Sequence, residues 1–183
     1  MNLSLQEIYN NITKTELISK ALLKPKNKIL LSGVTGSLLS FLISSVFKKN
    51  RKTFLLVFTD KETAAYYLND LETLINKEDV LFYPASYRRP YQIDETDNAN
   101  ILLRAEALNR INTKNKPLII VSYTEALFEK VVTKKELEKN TLKINVNDKI
   151  SLDFLNETLF EYQFTRVDFV SQPGEFSVRG GII

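Results

Sequence analysis

The octet Gly33-Val34-Thr35-Gly36-Ser37-Leu38-Leu39-Ser40 has the outline of a phosphate-binding loop, set between a short apolar run and an apolar helix candidate. In a working loop, G-x-x-x-x-G-K-[ST], backbone N–H groups at a helix N-terminus surround the phosphates. A lysine neutralises their charge and a hydroxyl holds magnesium. Aligned on Gly33, this chain has Leu38 at the second glycine and Leu39 at the lysine, and only Ser40 conforms. Leucine cannot neutralise phosphate, and a Cβ at position 38 crowds the backbone approach. The expectation is a tight strand-to-helix turn without nucleotide, which removes ATP hydrolysis and leaves at most an incidental anion at the helix N-terminus.

A second group lies near the C-terminus. Arg166 and Arg179 are the only basic residues after Lys149, in a segment that also carries Asp153, Glu157, Glu161, Asp168 and Glu175. Alternation puts Arg166, Asp168 and Val170 on one face of a strand. On a returning strand it puts Glu175, Ser177 and Arg179 on one face and Phe176 and Val178 on the other. Arginine offers bidentate donors and is well suited to interfaces, so the pair can anchor a partner. Equally, the two can close cross-strand ion pairs with Asp168 and Glu175. Both readings stand at this level.

Other candidates are thinner. Asp94, Glu95 and Asp97 can hold a hard cation through oxygen ligands, but without a calcium-loop spacing they read as helix-capping acids. Tyr83, Tyr87 and Tyr91 with Arg88 and Arg89 can stack on bases or pack a proline-rich loop. Histidine and cysteine are both absent, which excludes disulfides, thiolate nucleophiles, Cys/His zinc sites and imidazole acid–base pairs. No catalytic residue and no metal site is expected. The 25 basic against 22 acidic residues give a net charge of +3 over 183 residues, too even for a sustained nucleic-acid groove, so weak or no DNA binding is expected. No apolar run approaches the roughly 20 residues of a membrane span, and no signal-peptide pattern opens the chain. It reads as cytoplasmic, with no membrane partner.

These residues must be positioned by elements. Helical spacing marks residues 5–23, 38–47, 61–75 and 97–111, with Thr96 or Asp97 capping the last. Apolar runs at 28–31, 52–58, 80–83 and 117–121 read as buried strands. Capping boxes are read at Thr59–Glu62, Ser122–Glu125 and Thr133–Glu136. Uniformly apolar strands alternating with helices imply βαβ units and a parallel sheet flanked by helices, over residues 1–130. After residue 140, alternation at 141–146 and 164–170, a short helix at 151–160 and the Pro173-Gly174 turn imply a small α+β domain with an antiparallel hairpin, over residues 131–183. The final Gly180-Gly181-Ile182-Ile183 reads as a strand in mid-course, so the chain is expected to be a fragment of a larger protein.

Gly33-Val34-Thr35-Gly36, Phe82-Tyr83-Pro84 and above all Arg166-Val167-Asp168 with Pro173-Gly174-Glu175-Phe176-Ser177-Val178-Arg179-Gly180-Gly181-Ile182-Ile183 resemble the bacterial transcription-repair coupling factor family. The resemblance covers essentially the whole chain and lies in that family's N-terminal, UvrB-like region. It implies a helicase-like α/β domain with a decayed nucleotide site, followed by a module that binds UvrA. Arg166 and Arg179 fall on positions matching UvrA-contacting arginines, with Asp168 and Phe176 beside them. Ser177 stands where UvrB has a further arginine, so one contact is lost. The RNA polymerase, DNA and ATP-dependent motor regions of the family would lie beyond this chain, which needs no cofactor of its own. The alternative is a UvrB-like damage-recognition fragment with nucleotide or DNA binding. UvrB keeps the loop lysine and a longer Tyr-rich hairpin, and here Leu39 and the short Tyr83–Asp94 loop depart from it.

Overall fold

The computed structural model describes residues 13–87, 97–113, 116–172 and 174–183. Its contacts divide the chain into two compact units: residues 1–85 with 113–129, and residues 86–112 with 130–183.

In the first unit, helices α1 (Thr13–Leu22) and α2 (Leu38–Asn50) precede strand β1 (Phe54–Phe58). Helix α3 (Lys61–Leu74) and a 3-10 turn (Lys77–Asp79) lead to β2 (Val80–Tyr83). Strand β3 (Ile119–Tyr123) runs directly into α5 (Thr124–Phe128); α4 (Asn98–Thr113), which precedes β3 in sequence, belongs to the second unit except for its last residue. The sheet order is β1-β3-β2, all parallel, with Phe54 opposite Ile119 and Val80 also opposite Ile119. A parallel pair needs a crossover rather than a tight turn, and α3 supplies one between β1 and β2.

Position explains composition. Central β3 is buried at every residue, whereas edge strand β1 alternates, exposing Leu55 and Val57. Helix α3 turns Ala64, Leu68, Leu71 and Ile75 towards the sheet, the stripe expected of a 3.6-residue repeat. Phe47 of α2 meets Phe54 edge-on at 6.2 Å in the same core. Asp60 caps α3 by accepting from Thr63 N at 2.7 Å, and Thr59 donates to Asp60 at 2.6 Å instead of capping the helix itself. Those hydrogen bonds, first from Thr59 and then from Thr63, hold the Asp60 carboxyl below the usual carboxylate range. The Lys116 ammonium closes on the buried Asp79 carboxylate at 2.5 Å, tying the 3-10 turn to the approach to β3.

Two expected elements are corrected. Residues 28–31 form no strand: among the described residues no strand pairs with them, and Leu30 is 93% exposed. Ser122 opens no capping box, because it lies inside β3 and donates to Tyr83 O at 2.7 Å. The N-cap of α5 is Tyr123, and Thr124 Oγ1 donates to Thr59 O.

In the second unit, α6 (Lys134–Lys139) is capped by Thr133 through Glu136 N, and α7 (Leu152–Glu161) by Ser151 through Phe154 N. Strands β4 (Thr165–Arg166) and β5 (Glu175–Phe176) are two residues each. Two further expectations fail here. The alternating 141–146 is not a strand and leaves Ile144 and Val146 exposed. The expected antiparallel hairpin is a parallel pair, with Thr165 opposite Glu175 and Arg166 opposite Phe176. Thr165 N donates to Gly174 O at 2.8 Å and Val167 N to Phe176 O at 2.9 Å, the slanted pattern of parallel strands. So short a connection cannot carry a long parallel ladder, which is why the pairing stops after two residues. Among the described residues, no helix is long and apolar enough to cross a membrane.

Because Leu71 is fully buried in the core, Leu71→Ala should lower the unfolding free energy by about 2–5 kcal/mol. Leu55→Ala on the exposed side of β1 should cost about 1 kcal/mol or less. Urea denaturation of the two variants side by side measures the difference.

Candidate functional site

The glycine loop comes first in the chain. Gly33 and Gly36 take positive φ, 72° and 53°, which a Cβ disfavours, so the two glycines shape the turn into α2. Ser40, the one residue conforming to a phosphate loop, is fully buried and donates to Asp70 at 2.9 Å. Ser37 Oγ hydrogen-bonds Tyr66 Oη at 2.7 Å, and Tyr67 Oη donates to Gly36 O at 3.4 Å. Leu38 lines a cavity of about 370 Å³ with Ile18, Leu30, Leu31 and Leu42. Leu39 is half-buried in the first turn of α2. The hydroxyl is thus committed to a carboxylate, and the space beside the loop is lined mainly by leucine and isoleucine, with Lys14 and Ser32 also among its lining residues.

The acidic and aromatic candidates separate. Asp97 caps α4 by accepting from Ala99 N at 3.0 Å and Asn100 N at 3.3 Å, while Asp94 and Glu95 lie outside the described residues. Among the described residues, no group of three or more acidic side chains could hold a metal ion. Tyr83 is buried in β2, which takes its ring out of any base-stacking platform. Tyr87 is half-buried, and Arg88, Arg89 and Tyr91 lie outside the described residues.

The C-terminal group is the one that assembles. A cavity of about 460 Å³ is lined by Asp168, Phe169, Glu175, Phe176, Ser177 and Arg179, among others. Arg179 Nη2 donates to Asp168 O at 3.2 Å, and Ser177 Oγ donates to the same carbonyl at 3.0 Å. The Arg179 guanidinium lies 4.5 Å from the Phe169 ring centre, in cation–π range. Its backbone is held too, Arg179 and Ile182 exchanging N–H···O bonds of 3.0 and 3.2 Å.

Neither arginine forms the cross-strand ion pairs that alternation allowed. Glu175 is engaged elsewhere: its carboxylate accepts from Ser171 N at 2.8 Å, Ser171 Oγ at 3.1 Å, Gln172 N at 3.1 Å and Gln172 Nε2 at 3.1 Å. The bond from Ser171 N, then those from Gln172, hold the Glu175 carboxyl below the usual carboxylate range. Asp168 contributes its backbone carbonyl to Arg179 and leaves its own side chain exposed. Arg166 is exposed on β4 and is not among the residues lining the cavity.

Two assignments from the sequence change. Phe176, expected on an exposed hairpin, is 5% exposed and packs edge-on against Phe160 at 5.3 Å, so it supports the surface from beneath. Phe169, which sequence reasoning missed, is 76% exposed and carries Arg179. Strand alternation hid it by placing it opposite the polar residues of its strand. The available signal was an aromatic side chain within three residues of Arg166 in an arginine-poor segment.

Comparisons with known proteins meet this geometry. Residues 142–183 match the family model of the UvrB interaction domain. The chain is 30% identical over 155 residues to the transcription-repair-coupling factor of Bacillus subtilis, covering 84% of this chain and 13% of that protein. It is 31% identical over 145 residues to the one from Rickettsia bellii, covering 78% of this chain and 13% of that protein. It is 25% identical over 181 residues to UvrABC system protein B of Mycoplasma mycoides, covering 92% of this chain and 27% of that protein. The chain therefore spans about an eighth of the length of the coupling factors it matches.

Because the folded Glu175 pKa is lowered, its contribution is complete above the unfolded carboxylate range and fades as pH falls through the folded value. By NMR, the Glu175 carboxyl should titrate below the ordinary glutamate value of about 4.3. The Ser171 and Gln172 amide resonances should move with it.

Proposed function

Over most of its length the chain resembles the UvrB-like N-terminal region of bacterial transcription-repair-coupling factors, and from that premise we propose that it is a non-catalytic module that recruits UvrA in nucleotide excision repair coupled to transcription. Residues 131–183 form the interaction module, and residues 1–130 are the α/β domain before it. The observation that carries this reading is Arg179: within the matched UvrB interaction domain, it lies on an open cavity with no carboxylate partner among the described residues. Arg166 supplies a second exposed guanidinium on β4. The RNA polymerase contact, the DNA grip and the ATP-driven motor of the coupling factors belong outside these 183 residues. The chain works as a fragment of that machinery, with no cofactor.

The absence of nucleotide chemistry is part of the proposal. Leu38 and Leu39 replace the residues that hold and neutralise phosphate, and Ser40 donates to Asp70. A nucleotide bound at 100 times its dissociation constant would add about 2.7 kcal/mol of stability. Magnesium-ATP should leave the melting temperature unchanged, and a rise of several degrees in differential scanning fluorimetry would restore the nucleotide-binding alternative.

UvrA binding has its own test. Removing a desolvated interface arginine commonly costs about 2–4 kcal/mol, so Arg179→Ala should weaken calorimetric affinity for UvrA at least about tenfold, with Arg166→Ala in the same direction. Wild-type affinity in both variants would refute the recruiting role.

A further inference from the structure

The cavity beside Arg179 sets a guanidinium against exposed apolar surface. The guanidinium carries full charge, since arginine does not deprotonate in proteins. Its nearest acceptor is a neutral carbonyl, Asp168 O, reached by one of its five N–H groups. The neighbouring acid, Glu175, is turned away and bound to Ser171 and Gln172. Phe169 covers one side of the guanidinium while staying 76% exposed, and Val170 and Ile182 extend the apolar surface at 57% and 74% exposure. Phe176, buried and edge-on to the more exposed Phe160, lines the cavity with an aromatic ring.

From this arrangement we infer that Phe169 is a partner-binding residue: its ring holds Arg179 in position and, with the apolar rim, seats a UvrA carboxylate flanked by apolar atoms. The inference rests on the UvrA reading and deepens it by adding a residue and a ligand chemistry. The charge argument selects a carboxylate. Residues 151–183 contain two arginines against five acidic side chains, so a basic partner group would find acids throughout the segment and no reason to choose this cavity. An acidic group finds its complement at Arg179, where unused N–H groups in a fixed fork match a carboxylate bidentately. The ring matters for two reasons. It restricts a side chain that is otherwise costly to order on binding, and its hydrocarbon strengthens the contact by excluding water once the partner covers it.

The test is a double-mutant cycle in the full chain, read by calorimetric titration with purified UvrA. Phe169→Ala should weaken binding by about three- to tenfold, the range of a cation–π contact that becomes desolvated together with its hydrocarbon. Phe169→Leu keeps apolar bulk without an aromatic face and should fall between wild type and Phe169→Ala. Adding Phe169→Ala to Arg179→Ala should cost clearly less than it does in the wild-type background, because the two side chains act as a unit. Raising sodium chloride should weaken wild-type binding more steeply than Arg179→Ala binding, since the latter has lost one ion pair. A drop in Arg179→Ala with wild-type affinity in both Phe169 variants overturns the inference and leaves the UvrA reading intact. Fully additive effects, or an equal salt dependence with and without Arg179, also overturn it. Unchanged affinity in Arg179→Ala also overturns the inference, and unchanged affinity in Arg166→Ala as well removes the UvrA reading itself. Since Phe169 is largely exposed, circular dichroism and melting of its variants should match wild type.

Discussion

Both oxygens of the Glu175 carboxylate are engaged by the turn at Ser171 and Gln172, and the C-terminal surface depends on that commitment. The clamp draws the chain round between β4 and β5 so that Gly174 O meets Thr165 N and Phe176 O meets Val167 N. It also withdraws the acid closest in sequence to Arg179. Had Glu175 faced along an antiparallel strand, it could have neutralised the arginine on its own face. Satisfying a carboxylate with backbone and side-chain donors lowers its need for a cation, and the cation is left for another purpose.

The α/β part was largely legible because burial and period coincide there. Residues 80–83 and 54–58 are apolar, short and bounded by caps or turns, and they became β2 and β1. The Asp97 and Ser151 caps follow from side chains that reach an amide within their own turn, which needs no tertiary information. What failed needed a neighbour. Residues 28–31 and 141–146 have strand-like patterns, but a pattern cannot supply the adjacent backbone that makes a strand. Alternation likewise carries no sign of strand direction, so it implies an antiparallel hairpin where the pairing is parallel. Ser122 misled for a related reason. Its hydroxyl fits a helix cap as well as it fits Tyr83 O across the sheet, and only the fold decides between them.

The glycine loop shows how the outline of a motif can be held by internal contacts alone. Gly33 and Gly36 still take the backbone angles of a sharp turn into α2. The polar groups around them bond within the protein: Ser40 to Asp70, Ser37 to Tyr66, and Tyr67 to Gly36. These bonds tie α2 to α3, two helices that bear on the same core. The buried Ser40 serves as a helix–helix hydrogen bond, and Leu38 joins Ile18, Leu30, Leu31 and Leu42 along the neighbouring cavity. Retaining the turn therefore requires no retained ligand.

The same reasoning bears on how recognition would work at Arg179. The segment around it is net acidic, so long-range steering cannot draw an acidic partner towards it. At physiological ionic strength, charges beyond about 8 Å are largely screened, and the arginine governs only once the surfaces are nearly in contact. Its contribution then comes from geometry: a guanidinium already fixed by a carbonyl and a ring, beside hydrocarbon that excludes water. Such a contact acts on the lifetime of the complex more than on the rate of encounter. For the proposed recruiting module, a long-lived contact without strong attraction at a distance is the useful property. A broad basic face would bind any polyanion nearby, DNA included, whereas one oriented arginine in an acidic setting discriminates by fit.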